Sequence, residues 1–267
     1  MRAGGRESLG WHACALAWAA LFLLPTGAAR ADWVATSSVS ETSTLPGLIH
    51  RHLELKDTET GDFSALDLAL FPTSSKRTLR LIDNPNGTMD LADAAPDHGV
   101  SAGVNGGYFD PDFAPIGLRV ADGQVIRPLV RARLMTGVLF STAGAFDIVR
   151  VADYPKKKGV QFAVQCRPLL VDGGHAVKGL DETRLARRTF ALVGSDRAAL
   201  GFCPEASLAG LARILTSASL SGDLKIQRAL NLDGGSSSAF WFKRASGDAF
   251  SISEQKRVRD FVGIAPR

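Results

Sequence analysis

Few residues of this chain can serve as nucleophiles or soft metal ligands. Three cysteines and five histidines are spread over 267 residues. Cys14 falls in an N-terminal apolar stretch. Cys166 and Cys203 are the remaining pair; two cysteines cannot make a zinc site alone, and their spacing matches no zinc motif. His175 is the one histidine after residue 98, so a thiol–imidazole or serine–imidazole pair has little support. Gly234-Gly235-Ser236-Ser237-Ser238 lacks the closing glycine of a G-x-S-x-G elbow. A G-x-x-x-x-G-K phosphate loop and an H-E-x-x-H helix are both missing. Basic clustering is scarce too: Lys156-Lys157-Lys158, after Tyr154-Pro155, is the one basic run. It reads as a solvated loop that could attract an anionic polymer, and nothing points to nucleic acid. No repeat of fixed length and no linker divides the chain.

The first 31 residues read as a signal peptide. Arg2 and Arg6 precede an apolar core from Ala13 to Leu24, and Ala29-Arg30-Ala31 is a small-x-small cleavage site. The core is short for a membrane span, so no stable span is expected after cleavage. Removing Arg2, Arg6, Arg30 and Glu7 takes the net charge from +4 to +2. The expected location is exported, periplasmic or secreted. In such an oxidising compartment, an even pair of cysteines predicts a Cys166–Cys203 disulfide. Residues 32–46, rich in Ser and Thr, read as a flexible leader before a domain at 47–267.

What the chain does have is a repeated strand ending. Val100–Val104 runs into Asn105-Gly106-Gly107. Arg167–Val171 runs into Asp172-Gly173-Gly174. Arg228–Leu232 runs into Asp233-Gly234-Gly235, followed by three serines. Each apolar run reads as a buried strand. Each glycine pair permits positive φ or close approach of a ligand. Asx-Gly is equally a hairpin signal. If the endings share one rim, they gather two carboxylates, an amide, backbone N–H groups and hydroxyls into a polar site.

Other strands are expected at Leu48–Leu55, Leu66–Phe71, Arg77–Ile82, Val138–Phe140, Phe146–Val149 and Phe190–Val193. Ile116–Val120 and Gln124–Ile126 read as a hairpin. A short helix is expected over Asp90–Ala95. From Glu205 to Ser219, a stripe of Leu208, Leu211, Ala212, Leu215 and Ala218 predicts the one long helix, with Pro204 at its start. The fold class is therefore α+β, with a mixed, mostly antiparallel sheet. His50 and His52 share one strand face and could grip a metal; an exposed polar face is the simpler reading.

The chemistry available is that of carboxylates, amides, arginines and hydroxyls. Arg187-Arg188-Thr189 precedes a buried strand, and arginine forks match phosphate oxygens. Backbone N–H groups in a Gly-Gly-Ser turn can hold an anion.

Taken in order, five segments resemble the phosphodiester glycosidase family: Val104-Asn105-Gly106-Gly107-Tyr108-Phe109-Asp110; Pro115-Ile116-Gly117-Leu118; Arg167-Pro168-Leu169-Leu170-Val171; Arg188-Thr189; and Ala229-Leu230-Asn231-Leu232-Asp233-Gly234-Gly235 with Ser236-Ser237. The resemblance runs from about Gly47 to Ile264. The family usually has a third glycine where this chain has Ser236, and often a proline at Arg187. The resemblance implies hydrolysis of a sugar-1-phosphate diester at its glycosidic bond. It implies Asp233 as the leading catalytic carboxylate, with Asp172 and Asn105 as further catalytic candidates. Arg188, Thr189, Gly106, Gly107, Tyr108, Asn231, Gly234, Gly235, Ser236 and Ser237 are the substrate-binding candidates. No cofactor is required on this reading, although calcium or magnesium could be held by Asp172, Asp233 and Asn105 in a phosphoesterase. The partner is a sugar-phosphate or glycan, and the oligomeric state is open. A glycan-binding or exopolysaccharide-assembly protein on the same fold is the non-catalytic alternative.

Overall fold

The structure is a computed structural model that describes Met1 and residues 32–73, 77–143, 145–154 and 159–266, with Ser221 by its backbone alone. Residues 2–31 of the expected signal peptide and the Lys156–Lys158 run lie outside the described residues. The strands begin with β1 (Trp33–Thr42), β2 (Ile49–Asp57), β3 (Phe63–Pro72), β4 (Arg77–Asp83), β5 (Ala102–Asn105) and β6 (Arg119–Ala121). Next come β7 (Gln124–Arg127), β8 (Gly137–Thr142), β9 (Phe146–Arg150), β10 (Val160–Cys166), β11 (Leu169–Asp172) and β12 (His175–Ala176). The last are β13 (Ala186–Val193), β14 (Arg197–Ala206), β15 (Arg228–Asn231), β16 (Phe240–Lys243), β17 (Ala249–Ile252) and β18 (Asp260–Pro266). The helices are α1 (Leu91–Asp97), α2 (Leu208–Thr216) and α3 (Ala218–Leu224). The fold is α+β, as expected, and every strand pairing among the described residues is antiparallel.

An eight-stranded sheet has the order β1-β2-β3-β14-β13-β15-β11-β12. Two five-stranded sheets, β7-β6-β10-β8-β9 and β17-β16-β5-β18-β4, complete the set. Alternation along each strand sorts side chains between faces. On β13 and β14, Ala191, Val193, Leu200 and Phe202 join Val104, Phe162, Phe240 and Ile264 of the smaller sheets in one core. Phe190, Leu192 and Ala199 face the other way and pack with Leu211, Ile214, Leu215 and Leu224 of α2 and α3. Helix α1 covers the outer face of the β17–β4 sheet, where Leu91, Ala94 and Ala95 meet Trp241 and Phe261.

Four expectations are corrected here. Residues 32–46 are not a loose leader, because Trp33–Thr42 is β1, paired along its length with β2. Its Ser- and Thr-rich sequence suits an edge strand exposed along most of its length, and Trp33 is its buried anchor. The long helix starts later than Pro204: β14 continues to Ala206, and Ser207 caps α2 by accepting from Gly210 N–H at 2.9 Å. His50 is buried rather than an exposed polar residue. Its Nε2 and His52 Nδ1 both bond the same Asp67 Oδ1, at 2.8 and 2.9 Å. Among the described residues no His, Cys, Asp or Glu cluster is arranged to hold a metal ion.

The fourth correction concerns Cys166 and Cys203, which are free thiols. Cys166 packs in the core shared with the smaller sheets, whereas Cys203 packs against the helices. The eight-stranded sheet separates them. Burial pushes the Cys166 thiol up to about 12 and the Cys203 thiol up to about 11.

Candidate functional site

Two of the three Asx-Gly-Gly endings come together, and the third is elsewhere. Asp233 N–H donates to Gly106 O at 3.1 Å, joining the turn after β15 to the turn after β5. Asp172 lies at the other end of the sheet. β11 runs antiparallel to β15 with Asp172 opposite Arg228, whereas Asn231 N–H bonds Pro168 O before β11 begins. The length of β15, roughly 10 Å at the usual rise per residue, separates the two ends. The Asp172 ending is a tight hairpin to β12, with Gly173 and Gly174 both at positive φ. Asp172 is held in ion pairs with Arg150 and Arg228. It is therefore not part of the site, and the Asp172, Asp233 and Asn105 ligand set for a hard cation is not assembled.

Asn105 is fully buried, and its amide is engaged on both sides. Nδ2 donates to Asp233 O at 2.7 Å. Oδ1 accepts from Thr189 Oγ1 at 2.6 Å and from Ala239 N–H at 3.0 Å. Asn105 and the equally buried Thr189 thus tie β5, β13, the Asp233 turn and the start of β16 together. They position the site and do not face a substrate, in contrast to the roles expected for them.

Gly106 and Gly107 also have a structural reason. A side chain at Gly106 would run into Asp260 Oδ1, and one at Gly107 would run into Arg119. Asp260 and Arg119 form a fully buried ion pair, Nε to Oδ2 at 2.8 Å. Gly107 N–H donates to Asp260 Oδ1 at 2.8 Å, and Arg119 also donates to Tyr108 O and Leu118 O, each at 3.0 Å. A buried pair survives only when its remaining groups are so satisfied. The glycines admit this pair beneath the site. Sequence reasoning misses it, and the one local trace is Arg119, a charge inside the apolar run Leu118-Arg119-Val120.

Above this scaffold lie Asp233, Arg188 and Asn231, all buried, the half-buried Tyr108 and Arg167, and the Gly234–Ser237 turn. Burial raises the Asp233 pKa; the Ser237 hydroxyl, Lys256 and Gly234 N–H oppose the rise, and Asp260 adds to it. Arg188 is buried, and burial lowers its pKa. Nε donates to Ala206 O at 2.8 Å and Nη2 to Arg184 O at 2.6 Å. Among the described residues no carboxylate pairs with it, and its Nη1 lies 3.9 Å from where a Gly234 side chain would begin. Tyr108 donates from its hydroxyl to Arg167 O at 3.0 Å and accepts from Asn231 Nδ2 at 2.9 Å. Its pKa is raised, first by burial, then by Cys166 and Asp233, against Arg167 and Arg188. Tyr108 is thus the common neighbour of the carboxylate and both guanidiniums. Arg167 stacks on its ring at 5.2 Å. Asn231 Oδ1 is buried without a hydrogen-bond partner.

The last turn is no hairpin. Gly234 is extended, Gly235 has φ of +65°, and Gly235–Ser237 forms a single 3-10 turn. The N–H groups of Gly235 and Ser236 have no protein acceptor among the described residues. Ser236 is exposed, Ser237 is buried, and Ser236 O is held by Gln255 N–H at 2.7 Å. The site therefore combines a buried cation without a carboxylate partner, free N–H donors and a carboxyl group whose pKa burial raises.

Comparison with known proteins places this arrangement. The catalytic domain of zebrafish N-acetylglucosamine-1-phosphodiester alpha-N-acetylglucosaminidase, auto-inhibited by its pro-peptide, superposes with a TM-score of 0.63 at 15% identity. The match covers 88% of this chain and 89% of that one. A hypothetical protein from Synechocystis superposes with a TM-score of 0.57 at 17% identity, over 83% of this chain and 62% of its own. At such identities these likenesses concern the fold. An uncharacterized Escherichia coli K12 protein, YigE, is 35% identical over 91 residues, 32% of this chain and 36% of YigE, so the match spans about a third of that relative. The family profile described as phosphodiester glycosidase matches residues 98–265, from the end of α1 to the last strand and across every segment that builds the site, and the chain belongs to that family.

Proposed function

We propose that this chain is an exported hydrolase that cleaves the glycosidic bond of a sugar-1-phosphate diester, in polysaccharide or envelope glycan metabolism. The observation that carries the reading is Arg188: a buried guanidinium without a carboxylate partner, beside a Gly234–Ser237 turn with free N–H groups. A buried cation is costly unless an anion completes it. A phosphate does so with bidentate geometry. Export rests on the N-terminal sequence pattern from Arg2 to Ala31.

In the proposed reaction the phosphate leaves from the anomeric carbon. Arg188 and the Gly235 and Ser236 N–H groups hold its growing charge. Asp233, as the carboxylate, activates water or stabilises the oxocarbenium-like carbon. Asn231 braces the Tyr108 hydroxyl through its Nδ2, and the Tyr108 ring borders the sugar. Phosphate is already a good leaving group, so strong acid assistance is not needed. No cofactor enters this scheme.

The test is incubation of the protein with a panel of glycosyl phosphodiesters, followed by product analysis. Free sugar together with a phosphate monoester is the expected result. Binding without turnover across the panel would favour the glycan-binding alternative.

A further inference from the structure

Residues 124–134, the edge strand β7 and the segment after it, form a mostly exposed strap that the proposed chemistry does not use. β7 is an edge strand whose four residues are all exposed. Val125 and Leu134 are 62% and 61% exposed, and Ile126 is exposed as well. Arg127, Arg131 and Arg133 are exposed and form no ion pair among the described residues. The strap contains no Asp or Glu and no aromatic residue.

The strap is held at its middle. Gln165 accepts from Val130 N–H at 3.0 Å and donates to Val130 O at 2.6 Å. Leu129 packs against the small core cluster that includes Leu118, Val138 and Phe140. Before this anchor, strand alternation puts Val125 and Arg127 on one face of β7 and Ile126 on the other; after it, Arg131, Arg133 and Leu134 are exposed. Gln165 also accepts from Leu118 N–H, next to the Arg119 that supports Tyr108, so the strap is rooted in the floor of the candidate site.

The charge decides the occupant. A second copy would bring the same arginines together, which is how charged edge strands resist self-pairing. An anionic partner is required. A polyanionic glycan would use the arginines but leave the aliphatic side chains in water. A lipid surface uses both, because aliphatic groups enter the interface while arginine heads stay among the phosphates. We propose that the 124–134 strap docks this protein peripherally on an anionic lipid bilayer. The proposal does not depend on the hydrolytic reading.

Co-sedimentation with phosphatidylcholine vesicles, with and without phosphatidylglycerol, tests it. Wild type and variants carry the same N terminus, so any contribution from that segment cancels. Wild type should bind the anionic vesicles more tightly and lose binding in high salt. Each basic residue at such a surface contributes about fivefold in partitioning, so Arg127→Ser/Arg131→Ser/Arg133→Ser should weaken binding roughly a hundredfold. Val125→Ser/Ile126→Ser/Leu134→Ser should weaken it while leaving the salt dependence in place. Equal binding of wild type and the arginine variant would overturn the proposal. So would retention on inorganic polyphosphate with no preference for anionic vesicles. Circular dichroism confirms that each variant is folded.

Discussion

Asn105 Nδ2 donates to the backbone carbonyl of Asp233 at 2.7 Å, while Asp233 N–H donates to Gly106 O at 3.1 Å. Two turns that are 128 residues apart in the chain are thereby locked as one unit. Strand-end carboxylates need such fixing, because turns at sheet rims otherwise move more than the strands they join. Thr189 adds the third point of attachment, from β13.

Asn105→Leu should therefore damage stability and activity together. It orphans the Asp233 carbonyl, the Thr189 hydroxyl and the Ala239 N–H, for a loss on the order of 3 kcal/mol. Thr189→Val removes one donor and should cost about 1 kcal/mol. Urea unfolding measures both, and a near-neutral Asn105→Leu would show that the lock is unimportant.

Asp233→Asn should keep the fold and lower glycosyl phosphodiester hydrolysis by orders of magnitude, since the amide neither takes a proton nor carries charge. The same variant tests the electrostatics. Burial raises the Asp233 pKa above its ordinary 3.8, so the folded state holds this proton more tightly than the unfolded chain. The resulting stabilisation is complete below pH 3.8 and is lost as pH rises through the elevated folded value. Asn should thus gain stability relative to wild type as pH rises from about 4 to 7, with little difference in acid. Parallel unfolding curves across that range would contradict the raised pKa.

The strands and two converging turns are legible in the sequence because buried runs and Asx-Gly-Gly endings are local signals. Which turns converge is not, since strand direction decides it: β11 and β15 are antiparallel, so similar endings fall at opposite ends of the sheet. The helix start is obscured for a local reason. The exposed Pro204 and Glu205 mimic a helix opening, but they lie among the last residues of a ten-residue interior strand. The Arg119–Asp260 pair is invisible because its members are 141 residues apart. Its traces, Arg119 within an apolar run, Asp260 beside Arg259 and a glycine pair at Gly106-Gly107, look like surface and substrate features until the fold brings them together.

Arg188 should respond to phosphate. Wild type should rise in melting temperature when inorganic phosphate or a sugar phosphate is added, because binding to the native state stabilises it. Arg188→Lys keeps the charge but loses the fork, and should raise KM more than it lowers kcat. Arg188→Met should abolish the phosphate-dependent shift. A shift that persists in Arg188→Met places the anion elsewhere.

The cysteines should behave as buried thiols. Alkylation near pH 8 should leave folded protein unmodified at Cys166 and Cys203, whose thiols are held near 12 and 11. Denaturation without reductant should expose both for labelling, and reductant should not change the melting temperature. A mass spectrum with the two sulfurs joined would contradict the free-thiol arrangement.

Glycines that look alike in sequence should differ sharply in tolerance. Gly106→Ala places a methyl group on the Asp260 carboxylate and must separate it from Arg119. Disrupting a fully buried pair costs about 3 to 5 kcal/mol, enough to cut soluble yield. A methyl group on Gly173 would meet nothing within 4 Å, and the φ of +59° there is the sole obstacle. Gly173→Ala should cost about 1 to 2 kcal/mol, and Gly173→Asn less, because Asn tolerates the left-handed region. Chemical denaturation of the three variants gives the order. Equal losses for Gly106→Ala and Gly173→Ala would mean that turn geometry, rather than the buried ion pair, requires glycine after Asn105.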